Sequence, residues 1–126
     1  RTGPPYMAKI NAKAKGSRYE LQVRDIFRAL GYIEAETSRN KDRTLDAAGV
    51  DLADTGPWLV QCKAVERLGN VHTILDNMPK SPHTYRVLWH KRNRQGSVVV
   101  MDSADFLRLA ALAITREPCP LCNAGE

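Results

Sequence analysis

Cysteine is scarce in this chain, and its arrangement excludes a disulfide scaffold. Three cysteines in 126 residues, of which only Cys119 and Cys122 form a spaced Cys-x-x-Cys pair, suggest a reducing interior. A tetrahedral zinc needs four ligands. No second such pair follows, Cys62 belongs to an apolar strand, and His72, His83 and His90 are scattered. A redox pair would open a helix after a strand, whereas this one follows a helix and Pro118. The pair is therefore read as part of a loose tail, with zinc shared across a dimer as the alternative. Long apolar runs are lacking too: none approaches the ~20 residues of a membrane span. No signal peptide precedes the fold, and neither repeats nor low-complexity segments occur.

Acid is missing from two stretches. Before Glu20 stand Arg1, Lys9, Lys13, Lys15 and Arg18 with no acid among them. Between Asp76 and Asp102 stand Lys80, Arg86, Lys91, Arg92 and Arg94, again with none. The net charge of +5 and a pI near 9.3 favour a polyanionic partner. A single basic residue is ordinarily a solvated loop charge. Two acid-free stretches suit backbone phosphates, which require charge but no base sequence. The length fits one domain with a real core. Residues 1–6, ahead of Met7, read as appended sequence, 7–116 as one domain and 117–126 as a flexible tail.

The pattern of apolar residues predicts an α/β order. Ser17 can cap a helix, with Glu20 closing a capping box, Leu21, Val23, Ile26, Phe27 and Leu30 forming its apolar face, and Gly31 ending it. Tyr32 to Ser38 reads as a strand and Arg39 to Ala48 as a charged loop. Gly49-Val50-Asp51-Leu52-Ala53, with Asp51 at the start of the strand, and Trp58 to Val65, joined by Asp54-Thr55-Gly56-Pro57, read as a hairpin. Val71 to Met78 reads as a helix ended by Pro79. Tyr85 to His90 and Ser97 to Met101 are strands about an Asn93-Arg94-Gln95-Gly96 turn, and Ala104 to Ile114 is a helix capped by Asp102 or Ser103.

The hairpin carries the chemistry. Strand alternation turns Leu59, Gln61 and Lys63 one way and Trp58, Val60, Cys62 and Ala64 the other. The hairpin would bring Asp51 back beside Gln61 and Lys63. An aspartate at a strand end commonly satisfies turn amides. A lysine and a glutamine two residues apart on one face of an apolar strand are better explained by a site, since each is costly there without a partner. A carboxylate, an amide oxygen and an ammonium together suit a hard metal ion and a phosphodiester. Asp51, the Gln61 oxygen and the Cys62 carbonyl would hold Mg²⁺, with Mn²⁺ as a substitute, and Lys63 would place the attacking water or stabilise transition-state charge.

Asp51 followed ten residues later by Gln61-Cys62-Lys63 resembles the PD-(D/E)XK nuclease superfamily, with glutamine for the usual glutamate and Val50 in place of the proline. Upstream, Lys15-Gly16-Ser17-Arg18-Tyr19-Glu20-Leu21 and the exit Gly31-Tyr32 resemble the archaeal and phage Holliday junction resolvases, a likeness covering Lys13 to Val65. The resemblance implies a restriction-endonuclease-like core, a central mixed sheet flanked by helices. It makes Glu20 a further acid of the metal site, beside its capping-box reading. It also implies a homodimer that resolves four-way junctions by two symmetrical cuts, in the cytoplasm of a bacterial, archaeal or phage-infected cell. Lys13, Lys15, Ser17, Arg18, Ser38, Arg39, Lys41, Arg43, Lys91, Arg92 and Arg94 are candidates for the DNA backbone, and the histidines read as surface or DNA-facing. A restriction-type or modified-DNA-specific endonuclease, suggested by Gln-x-Lys, and a DNA-binding module without catalysis are the alternatives.

Overall fold

The computed structural model describes residues 5–116, with side chains from 12 to 115. Cys119 and Cys122, the predicted tail and residues 1–4 of the predicted leader lie outside the described residues; Pro5 and Tyr6 belong to the first helix. In chain order the elements are α1 (Pro5–Leu30), β1 (Glu36–Thr37), α2 (Ser38–Lys41), α3 (Arg43–Ala47), β2 (Leu52–Ala53), β3 (Trp58–Lys63), α4 (Val71–Asn77), β4 (Tyr85–Lys91), β5 (Ser97–Met101) and α5 (Ser103–Arg116).

A mixed sheet flanked by helices is the centre of the molecule. β4 lies between β3 and β5, parallel to the first and antiparallel to the second. The parallel step needs a crossover, and α4 supplies it. Alternation along the strands fills both faces. Val60, Cys62 and Val87 pack with Tyr19, Val23 and Phe27 of α1, while Leu59, Leu88 and Val100 pack with Leu75 and Met78 from α4 and its end, and with Val50. β1 and β2 form a separate two-residue antiparallel pair.

Several expectations are corrected here. α1 does not start at Ser17. Alanine and lysine dominate positions 8–15 and carry the helix back to Pro5, through Gly16, so no capping box forms. Its buried face is Tyr19, Val23 and Phe27, one every four residues; Leu21, Ile26 and Leu30 are 36%, 45% and 68% exposed. The strand expected over 32–38 shrinks to β1, because Tyr32 to Ala35 makes a turn closed by the Ala35 N–H on the Tyr32 carbonyl. The expected charged loop holds two short helices. Asp42 ends α2 and caps α3, its carboxylate accepting the N–H groups of Thr44 and Leu45. The β2–β3 turn is tight: Gly56 has φ +61°, and a Cβ there would stand 2.5 Å from the Tyr32 ring. Both helices after β3 and both strands of the β4–β5 hairpin fall where the sequence predicts them, and Asp102 caps α5.

Arg86, counted in the second acid-free stretch, does not face solvent. It is 4% exposed on β4, beside Asp105 of α5 at 2%. The Asp105 carboxylate accepts the Arg86 backbone N–H at 3.1 Å and its Nε at 3.3 Å, while Arg86 Nη1 donates to the Leu75 carbonyl at 3.3 Å. Asp76 and Asp102 flank the guanidinium at 3.6 and 3.8 Å, and Arg108 adds a 3.3 Å bond to the other Asp105 oxygen. Burial pushes the Asp105 carboxyl up, but the bonds from Arg86 and Arg108 outweigh it and hold it below the ordinary range.

Candidate active site

β3 is an outer strand of its sheet, so its outward backbone groups need partners. Asp51 supplies them. Its N–H donates to the Val60 carbonyl at 2.7 Å, and its Oδ2 accepts the Cys62 N–H at 2.8 Å. Its own carbonyl accepts the N–H of Ser38, at the start of α2, at 2.8 Å. One residue thus takes the place of a neighbouring strand. The predicted hairpin ladder between β2 and β3 does not exist, since β2 pairs with β1, yet Asp51 reaches β3 all the same. Its carboxylate is anchored to the peptide between Gln61 and Lys63.

Charge gathers around it. The Asp51 carboxyl is raised, first by burial and then by Asp46, against the Cys62 N–H, Lys63 and Arg39, which lower it. Across from it, α1 presents the half-buried Glu20. Burial, the Asp51 carboxylate and Asp46 push Glu20 up to about 7, opposed by Arg39. Arg39 Nη2 lies 3.5 Å from Glu20 Oε1, and its Nη1 donates to Ser17 Oγ at 2.8 Å. The cations that act on Glu20 and Asp51 are Arg39 and, for Asp51, Lys63. Such a deficit of positive charge favours protonation or a bound cation. The Cys62 thiol is also pushed up by burial and by both acids, which makes it an inert core group rather than a nucleophile.

The four predicted site residues are distributed as follows. Asp51, Glu20 and Lys63 share one electrostatic neighbourhood. Gln61 lies on the β3 face shared with Lys63, and its Oε1 is 3.8 Å from where a Cβ on Gly49 would stand. Its amide makes no side-chain hydrogen bond among the described residues. The donors on offer are all oxygens, which suits Mg²⁺. Among the described residues, no three His, Cys, Asp or Glu side chains converge closely enough to hold a metal by themselves. The Gln61 amide and the Cys62 carbonyl would have to complete the set.

The predicted phosphate-contacting residues divide. Lys13, Arg18, Arg43, Arg92 and Arg94 are exposed, and Lys15 and Lys91 are partly so. Ser38 is not available: it is fully buried, its hydroxyl unpartnered among the described residues. Ser17 and Arg39 bind one another beside Glu20 and so belong to the site. Lys41 is paired with Asp54 and donates to the Glu34 carbonyl at 3.2 Å. His72 and His83 are exposed, but His90 is 8% exposed with Nε2 2.7 Å from the Val65 carbonyl, which corrects its surface placement. Asp46, missed by the sequence reading, sits at the end of α3; the Asp42 cap was the available signal for that helix.

No helix among the described residues is long and apolar enough to cross a membrane. No family model, curated protein or solved structure matches this chain.

Proposed function

We propose that this chain is a metal-dependent DNA endonuclease with a restriction-endonuclease-like core, resolving four-way junctions as a homodimer. The observation that carries the reading is the Asp51 carboxylate held on the Cys62 N–H, between Gln61 and Lys63 and opposite Glu20. The mixed sheet with a long helix bearing the outlying acid supports it.

Asp51, Glu20, the Gln61 amide oxygen and the Cys62 carbonyl would hold Mg²⁺ or Mn²⁺. The ion would activate a water and polarise the scissile phosphate. Lys63, charged and beside Asp51, orients that water or offsets the charge that grows on the phosphate oxygens. Arg39 draws Glu20 toward its ionised, ligating form. Two copies related by a two-fold axis would match the symmetry of a four-way junction and cut both strands.

Incubating the protein with a labelled four-way junction and Mg²⁺ tests this directly. Paired nicks in the wild type, lost in Asp51→Asn, are expected. Cutting of methylated linear duplex in preference to the junction would favour the restriction-type reading. A second reading, DNA binding without cutting, draws on Gln61, which stands where the resemblance expects a glutamate. Junction binding without any product in Mg²⁺ or Mn²⁺ would establish it.

A further inference from the structure

Across α1 from the site runs a groove of about 160 Å³ whose lining is cationic. α1 contributes Lys15, Arg18, Tyr19 and Gln22, the end of β3 contributes Ala64, and the end of β4 contributes Lys91. Lys15, Arg18 and Gln22 follow helical spacing and form one stripe of α1; Ser17 and Glu20 lie on the opposite flank of the helix, with the buried Tyr19, Val23 and Phe27 between the two. The groove and Glu20 therefore flank α1 on its two sides, and the end of β3 passes between them, where Ala64 follows Lys63.

Its charge is not neutralised. Lys15 Nζ donates to the Asn93 side-chain oxygen at 2.5 Å and Lys91 Nζ to the Arg92 carbonyl at 3.1 Å, both uncharged acceptors. Arg18 makes no ion pair among the described residues. Glu66 lies nearby, but it accepts the Asn93 backbone N–H. No carboxylate lines the groove. The buried Tyr19 hydroxyl is tied to Ser97 Oγ at 2.8 Å, joining the groove to β5.

We infer that this groove receives a single backbone phosphate of the DNA, held across α1 from the candidate site. The inference rests on the nuclease reading. Arg18 and Lys91 grip that phosphate from opposite walls, Lys15 and Gln22 add donors, and the contact sets the register of the DNA over Asp51 without reading bases.

The test is a salt titration of binding to a labelled four-way junction in EDTA, which separates binding from cutting. The Arg18→Gln/Lys91→Gln double variant should flatten the slope of log affinity against log salt by about 0.7–0.9, the loss of one neutralised phosphate. Lys80→Gln, removing an exposed cation beside Asp105 and Arg108, should leave it unchanged. A double variant with the wild-type slope, or a Lys80→Gln effect of equal size, overturns the groove. Its failure is separable from that of the nuclease reading. Retained cutting by Asp51→Asn refutes the site and leaves the slope standing. A wild type that does not bind the junction at low salt overturns both.

Discussion

At Asp105 a helix carboxylate meets the sheet with every partner it needs; at Glu20 another meets it without them. Asp105 is bonded by the Arg86 backbone and side chain and by Arg108. Its carboxyl is held low despite burial. Glu20 has Arg39 at 3.5 Å and the acids Asp51 and Asp46 within range, and its carboxyl is raised to about 7. Asp105 is the more deeply buried of the two, yet its carboxyl is the one held low, so burial alone does not account for the contrast. The difference lies in whether the surroundings satisfy the ionised form. The first arrangement holds α5 to β4. The second stores a repulsion that a bound cation would relieve.

The largest expected effect comes from breaking the satisfied centre. Asp105→Ala strands Arg86 in the core and should destabilise the fold by about 3–5 kcal/mol in urea melts. A loss under 1 kcal/mol would mean that Asp76 and Asp102 carry the guanidinium unaided. Next comes Glu20→Gln. Glu20 binds its proton more tightly in the fold than when unfolded, so the metal-free protein should lose stability as pH rises from the ordinary carboxylate range through about 7. Removing the titration should gain about 2–3 kcal/mol at pH 8 and flatten that slope. Asp105 works in the opposite sense, its contribution being lost as pH falls through its lowered value. Thermal melts of the wild type and Glu20→Gln between pH 2 and pH 9 read both arms, and a wild-type profile flat across the upper range would end the contrast. The smallest effect is at Gln61. A Gln61→Glu variant adds the missing negative charge and should tighten Mn²⁺ by about tenfold, or ~1.4 kcal/mol, in calorimetry. An unchanged affinity would remove Gln61 from the donor set.

The unsatisfied centre was the more legible of the two in the sequence. Gln61 and Lys63 interrupt an apolar strand at a period of two, and that pattern survives into the pleat. Asp51 was legible as a partner, though not the means, because an edge cap made of one backbone N–H and one carboxylate has no periodicity. The start of α1 was misread because Ser17 and Glu20 have capping-box spacing within a continuous helix. Arg86 was misread for a different reason. Its partners, Leu75, Asp76, Asp102 and Asp105, lie on other elements, and only the crossover through α4 and the return through β5 bring them together. Ser38, at the end of the expected strand, looked like a hydroxyl for the DNA backbone, but its N–H is needed by the Asp51 carbonyl, which draws it inside.

The edge cap on β3 has a spectroscopic consequence. The amide proton of Cys62 rests on a side-chain oxygen, where a ladder proton would rest on a backbone carbonyl. Its chemical shift and its exchange with solvent will follow whatever draws electrons from that oxygen. A single resonance, observable at natural sequence, would therefore register titration or ion capture one bond away.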